Sequence, residues 1–216
     1  MHELGKEIAQ KGYTVLGPRL SGHGTHPEDM EKTTYQDWMK DIEKGFRELK
    51  ETCTQIFVIG LSMGGTLTLY LAEKYPEIKG IIPINAAVDL PGMKDYYNQI
   101  KNNDERFVDG IGSDIKMADV EELAYSKTPV KSMGDLLKLM EPIRRNLDKI
   151  TVPTLIISSK VDHVVPPENS KEIFESISSN NKRIIYLEDS YHVATLDHDK
   201  ERIAKECISF IERLID

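Results

Sequence analysis

The sequence predicts an α/β fold on a mostly parallel sheet flanked by helices, and three observations carry that prediction. Ile56-Phe57-Val58-Ile59 is apolar and largely β-branched, as expected of a strand buried on both faces. It runs through Gly60-Leu61-Ser62-Met63-Gly64 into Leu67, Leu69, Leu71 and Ala72, set among good helix formers until Pro76. Further apolar strands alternate with amphipathic helices on either side of a central stretch that lacks strand signals.

Residues 1–11 read as a helix with Leu4, Ile8 and Ala9 on one face and Gly12 as its stop. Tyr13 to Leu16 reads as a short strand, followed by a breaker-rich loop from Gly17 to Pro27. Between Thr34 and Thr52, Trp38, Ile42, Phe46 and Leu49 recur at helical spacing, a stripe suited to core packing. Gly80 to Ala87 is the next strand. Residues 90–148 then form an inserted helical cap within a single domain of residues 1–216. Its expected helices are Met93 to Ile100, Asp119 to Tyr125, and Ser132 to Leu147 with a kink at Pro142. Met93, Met117, Met133 and Met140 lie in this insert, where they suit either a lid over an apolar chain or simple gap-filling. Strands return at Pro153 to Ser158 and Arg183 to Leu187, separated by a helix opened by Pro166-Pro167. Thr195 or Asp197 is expected to cap a closing helix that turns Ile203, Cys207, Phe210, Ile211 and Leu214 inward.

The chemistry concentrates at strand ends. Gly60-Leu61-Ser62-Met63-Gly64 matches G-x-S-x-G, and strand, sharp turn, helix is the context that makes this motif a nucleophile elbow. Ser62 is the candidate nucleophile, and the Met63 amide, at a helix N-terminus, is placed to face an oxyanion. Gly60 and Gly64 are expected to keep Cβ atoms out of the close approach of strand and helix. A serine nucleophile needs a base, and the base an orienting carboxylate. Asp162 follows one predicted strand and His192 the next, giving the chain order Ser, Asp, His of the α/β-hydrolases. Asp189, His163 and His198 are weaker rivals: Asp189 belongs to the turn before His192, His163 should point away from Asp162, and His198 starts a helix. His23 and His26, near Glu28 and Asp29, lack the further ligands a metal site needs. No metal is expected.

Composition bounds the remaining possibilities. A formal net charge of −8 with no basic run argues against nucleic acid as a partner. No apolar stretch is long enough to span a bilayer and no secretory pattern opens the sequence, so a cytoplasmic location is expected. Cys53 and Cys207 are too few for a disulfide framework and suit buried thiols in a reducing compartment.

Five stretches together resemble the bacterial monoacylglycerol lipases and their carboxylesterase relatives. They are Pro18-Arg19-Leu20-Ser21-Gly22-His23-Gly24-Thr25-His26, the elbow through Thr66, Ile84-Asn85-Ala86-Ala87-Val88-Asp89, Asp162-His163-Val164-Val165-Pro166-Pro167, and Ser190 to Asp197. The resemblance implies Ser62, Asp162 and His192 as the triad, the Met63 N–H as one oxyanion donor, and no cofactor. It implies a cap that holds one acyl chain and a glycerol head, with Ile111 in the acyl wall and Glu122 accepting from glycerol hydroxyls. A small acyl ester is then the substrate and membrane contact at most transient. A general short-chain carboxylesterase stays open as an alternative, as do thioesterase and peptidase chemistry and an inactive shortened hydrolase. The resemblance also implies a central strand and a His-Gly-aromatic oxyanion loop ahead of the first helix, which nothing here matches. An N-terminally truncated fold is therefore expected, with a gapped or rearranged sheet near residues 13–16 and 56–60 and strand edges open to self-association.

Overall fold

Gly80-Ile81-Ile82-Pro83-Ile84 is buried at every residue, because it lies inside a sheet with partners on both sides. The computed structural model describes residues 1–215. In chain order they form α1 (His2–Gln10), α2 (Pro27–Glu31), α3 (Tyr35–Lys50), β1 (Phe57–Leu61), α4 (Met63–Lys74), β2 (Gly80–Ile84) and α5 (Pro91–Ile100). There follow β3 (Phe107–Asp109), β4 (Lys127–Pro129), α6 (Val130–Arg145), β5 (Thr154–Ser159), α7 (Glu168–Ser176), β6 (Lys182–Leu187) and α8 (Lys200–Ile215).

The main sheet has the order β1-β2-β5-β6, all parallel, with Ile59 opposite Ile82 and Ile84 opposite Ile157. Alternating side chains serve two cores, as the two-residue period of a strand requires. On one face Ile81 and Ile156 pack with Trp38, Phe46, Leu69 and Ile143, from α3, α4 and α6. On the other, Ile82, Ile84, Leu155 and Ile157 pack with Leu4 and Ile8 of α1 and Cys207, Phe210 and Ile211 of α8. This is a helix–sheet–helix sandwich.

Two expectations about the start of the sheet need correction. Tyr13 to Leu16 forms no strand: among the described residues no neighbouring strand offers it a ladder, and Val15 is exposed. The run Phe57-Val58-Ile59 is half-buried rather than buried on both faces, because β1 is an edge strand among the described residues. Between β1 and residues 13–18 lies a cavity of about 670 Å³, lined by Leu4, Leu16, Phe46, Val58 and Gly64 among others.

The segment between β2 and β5 adds no strand to the main sheet, but it does contain strands, contrary to expectation. β3 and β4 form a small antiparallel pair, with Val108 opposite Thr128. Residues 119–125 form no helix. Asp119 is left-handed (φ 62°), Leu123 is fully exposed, the Glu122 amide donates to Ser113 Oγ, and the Tyr125 hydroxyl joins Gly22 and Thr25. So short a run has little to offset the cost of helix nucleation, and its polar groups are satisfied outward instead. Met133 and Met140 are buried against Leu90, Val130 and Val165, so these two methionines serve as packing. The cap of α8 also differs: Thr195 lies in a separate 3-10 turn, and the Asp199 carbonyl accepts the Ile203 amide.

Candidate active site

β1 ends in a turn that holds Ser62 at φ 56° and ψ −123°, a conformation an L-residue adopts only when its surroundings enforce it. The surroundings are visible. The Ser62 amide donates to the Ile84 carbonyl (2.9 Å) and buried Thr66 Oγ1 donates to the Ala87 carbonyl (2.6 Å), which sews the turn to the end of β2. A Cβ on Gly60 would lie 2.0 Å from the Gly64 carbonyl oxygen, and one on Gly65 would lie 2.5 Å from Ala86 Cβ. A Cβ on Gly64 would meet nothing within 4 Å, because it faces the cavity. The tight glycines are therefore Gly60 and Gly65, not Gly60 and Gly64.

The chain leaves β5 and β6 at the same end of the sheet, and the two loops bring Asp162 and His192 to Ser62. His192 Nε2 lies 2.9 Å from Ser62 Oγ, and His192 Nδ1 lies 2.8 Å from Asp162 Oδ2. Asp162 Oδ1 accepts the amides of Val164 (2.9 Å) and Val165 (2.8 Å). With Nδ1–H donating to the carboxylate, Nε2 is left bare to accept the Ser62 proton. The Asp162 side chain is 1% exposed and that of His192 8%, so the pair lies largely shielded from water. Met63 opens α4, so its amide lies in the first turn, where a helix supplies no acceptor of its own.

Two buried polar residues that hold the loops around the site were not legible in the sequence. Buried Asn85, held at φ 43°, donates to the His192 carbonyl (2.8 Å) and to Ser159 Oγ (3.0 Å), and accepts the Ser159 amide. Asp197 is wholly buried and accepts the amides of Lys116, Met117, Tyr191 and His198. Burial pushes its carboxyl up, but these donors outweigh that and hold it below its ordinary value. Left-handed backbone at a non-glycine residue cannot be read from sequence, and neither can one carboxylate shared by distant amides.

The rival residues have other partners. Asp189 pairs with Lys116 at 2.9 Å, His163 Nδ1 with Asp114 at 2.7 Å, and His198 is exposed. His26 pairs with Glu28, and His23 packs edge-on against Trp38, where burial lowers its pKa. Of the two cap residues, Ile111 is 64% exposed. Glu122 is exposed to solvent, but partial desolvation raises its carboxyl pKa while His192 draws it back.

A mostly parallel sheet, a strained serine between strand and helix, and histidine and aspartate on later strand-end loops define an α/β-hydrolase. The chain belongs to the Hydrolase_4 family, described as serine aminopeptidase, S33, which matches residues 1–199. It is 52% identical to the thermostable monoacylglycerol lipase of Bacillus sp. (strain H-257), over 99% of this chain and 85% of that protein. It is 30% identical to a carboxylesterase of Bacillus subtilis (strain 168), over 98% of this chain and 86% of that one. Among solved structures, one from a study of LipS and LipT, two metagenome-derived lipolytic enzymes, superposes with a TM-score of 0.95 at 44% identity. It covers 99% of this chain and 87% of that one. The protein is a serine hydrolase acting on carboxylic esters. No helix is long and apolar enough to cross a membrane among the described residues.

Proposed function

We propose that this hydrolase cleaves esters of a single acyl chain, monoacylglycerols best, through an acyl-enzyme formed on Ser62. The observation that carries the mechanism is the unbroken hydrogen-bonded chain from Ser62 through His192 to Asp162. His192 takes the Ser62 proton as Oγ attacks the ester carbonyl, and Asp162 holds the ring in the required tautomer and stabilises the imidazolium. The Met63 amide donates to the carbonyl oxygen as it gains charge. His192 then protonates the departing glycerol oxygen, and a water activated by the same nitrogen releases the fatty acid.

The preference for one chain and a small polar head rests on the resemblance to monoacylglycerol lipases and on the inserted cap of residues 90–148. Ile111 forms part of the acyl wall. Glu122, partly desolvated beside His192, accepts from the glycerol hydroxyls. The test is kcat/KM on monoacylglycerols, triacylglycerols, short nitrophenyl esters and aminoacyl anilides. Monoacylglycerols are expected to lead the series. Equal rates on short esters would leave a general carboxylesterase, and faster cleavage of the anilides would make the protein a peptidase.

A further inference from the structure

Asp114 lies in the insert, on the loop between β3 and β4, yet its polar atoms reach both loops of the active site. Oδ2 accepts the backbone amide of His163, the residue after Asp162, at 3.0 Å. The same oxygen accepts the backbone amide of His192 itself at 3.1 Å. Oδ1 bonds His163 Nδ1 at 2.7 Å, and the Asp114 carbonyl accepts the Val193 amide at 3.0 Å. The His163 ring in turn stands edge-on against Tyr191, 4.7 Å between centroids. One carboxylate oxygen thus ties the residue following the acid to the base. Burial works against its charge, but the donors from His163 and His192 outweigh it and hold the carboxyl below its ordinary value.

We propose that Asp114 is a positioning residue of this hydrolase, a clamp from the insert that sets the relative placement of Asp162 and His192. The inference rests on the ester-hydrolysis reading above and adds a task for the insert beyond binding the acyl chain. Asp162 and His192 stand on separate loops after separate strands, and Ser62 on a third. Asn85 ties the His192 carbonyl to Ser159 at the end of β5, and Asp114 adds a second tie from the insert side, directly between the two loops; a displacement of about 1 Å at a reacting group can cost about 10²-fold in rate. The clamp also links the insert to the chemistry. Ser113, next to Asp114, accepts the amide of Glu122 at 2.7 Å, so the proposed glycerol acceptor and the His192 amide are joined through adjacent residues.

The chemistry of the clamp predicts an unusual rescue. Asp114→Asn can keep its oxygen at the Oδ2 position, accepting both amides, and turn its NH₂ toward His163 Nδ1. Asp114→Ala accepts neither amide. The experiment is ester-hydrolysis kinetics on the full chain, normalised to serines titrated with a fluorophosphonate, with proton NMR of the downfield His192 ring N–H. In Asp114→Ala, kcat per titrated site is expected to fall by about 10²-fold with KM changed by less than about threefold, and the ring resonance to broaden or vanish. Asp114→Asn is expected to stay within about fivefold of the unmodified protein and to keep the resonance. Should Asp114→Ala fail to fold, Asp114→Glu serves: its oxygens sit one methylene away, and a loss of about tenfold or more is expected. Unchanged kcat and resonance in Asp114→Ala, or in Asp114→Glu, would overturn the clamp. So would an Asn variant as impaired as Ala. An unmodified protein that neither labels nor hydrolyses esters would instead refute the function above, and the NMR comparison would still decide the clamp.

Discussion

Alanine at Gly60, Gly65 and Gly64 separates the packing account from the bare motif. At Gly60 the new carbon would lie 2.0 Å from the Gly64 carbonyl oxygen, 2.3 Å from its carbon and 2.6 Å from Thr68 Oγ1. Unstrained carbon–oxygen contacts begin at about 3.3 Å, so β1 and α4 must part by more than about 1 Å. No side chain can rotate to relieve a backbone clash, which places the cost at about 3 kcal/mol or more, the upper end for overpacking. In a chain of this length, about 3 kcal/mol lowers Tm by about 6–12 °C. Ser62 stands two residues away, so kcat should also fall by about 10²-fold. Gly65→Ala meets Ala86 Cβ at 2.5 Å and should behave similarly. Gly64→Ala meets open space and replaces a helical glycine, gaining up to about 1 kcal/mol, or about 2–4 °C. Thermal unfolding of the three variants, with kcat on a nitrophenyl ester, is the assay. A Gly64→Ala protein less stable than Gly60→Ala would refute the reasoning, and would mean that the cavity beside α4 is filled in solution.

Two further perturbations follow from the same geometry. Asp162→Asn should lower kcat by about 10⁴-fold by leaving His192 in the wrong tautomer, while Asp189→Asn, which loses only an exposed pair with Lys116, should leave it nearly unchanged; the reverse order would move the acid to Asp189. Burial pushes the Glu43 carboxyl up, but hydrogen bonds from Lys74, Tyr70 and Arg47 outweigh it and hold the pKa at about 2. A depressed carboxylate stabilises the fold fully above its ordinary value of 4.5, and that contribution is lost as pH falls toward about 2. The urea midpoint should therefore drop less between pH 5 and pH 2, roughly the span of that loss, in Glu43→Gln than in the unmodified protein; parallel curves would count against the assignment.

The sequence was most legible where one physical rule acted alone. The period of Trp38, Ile42 and Phe46 predicted α3, and the apolar runs at Gly80 and Thr154 predicted the two inner strands, because burial on both faces leaves no other pattern. Ser62, Asp162 and His192 stand out because each ends or follows a strand in the chain order that the fold constrains, and the three lie within hydrogen-bond reach of one another. Legibility failed where tertiary partners decide. Tyr13 to Leu16 has strand character but, among the described residues, no strand to pair with. Glu121-Glu122-Leu123-Ala124-Tyr125 has helical character, but the Glu122 amide donates to Ser113 Oγ and the Tyr125 hydroxyl to the Gly22 carbonyl. Asn85, Asp114 and Asp197 look like ordinary loop polar residues until the fold brings distant amides onto them.

The central claim is that Ser62 is the activated nucleophile, and covalent labelling tests it most directly. The full chain is treated with a fluorophosphonate and the modified residue located by mass spectrometry of the digest. One phosphonyl group per chain on Ser62 is expected, abolished in Ser62→Ala and slowed by about 10²-fold or more when His192 is replaced by alanine. Labelling that persists in a folded Ser62→Ala protein, or that maps to another serine, would contradict the account.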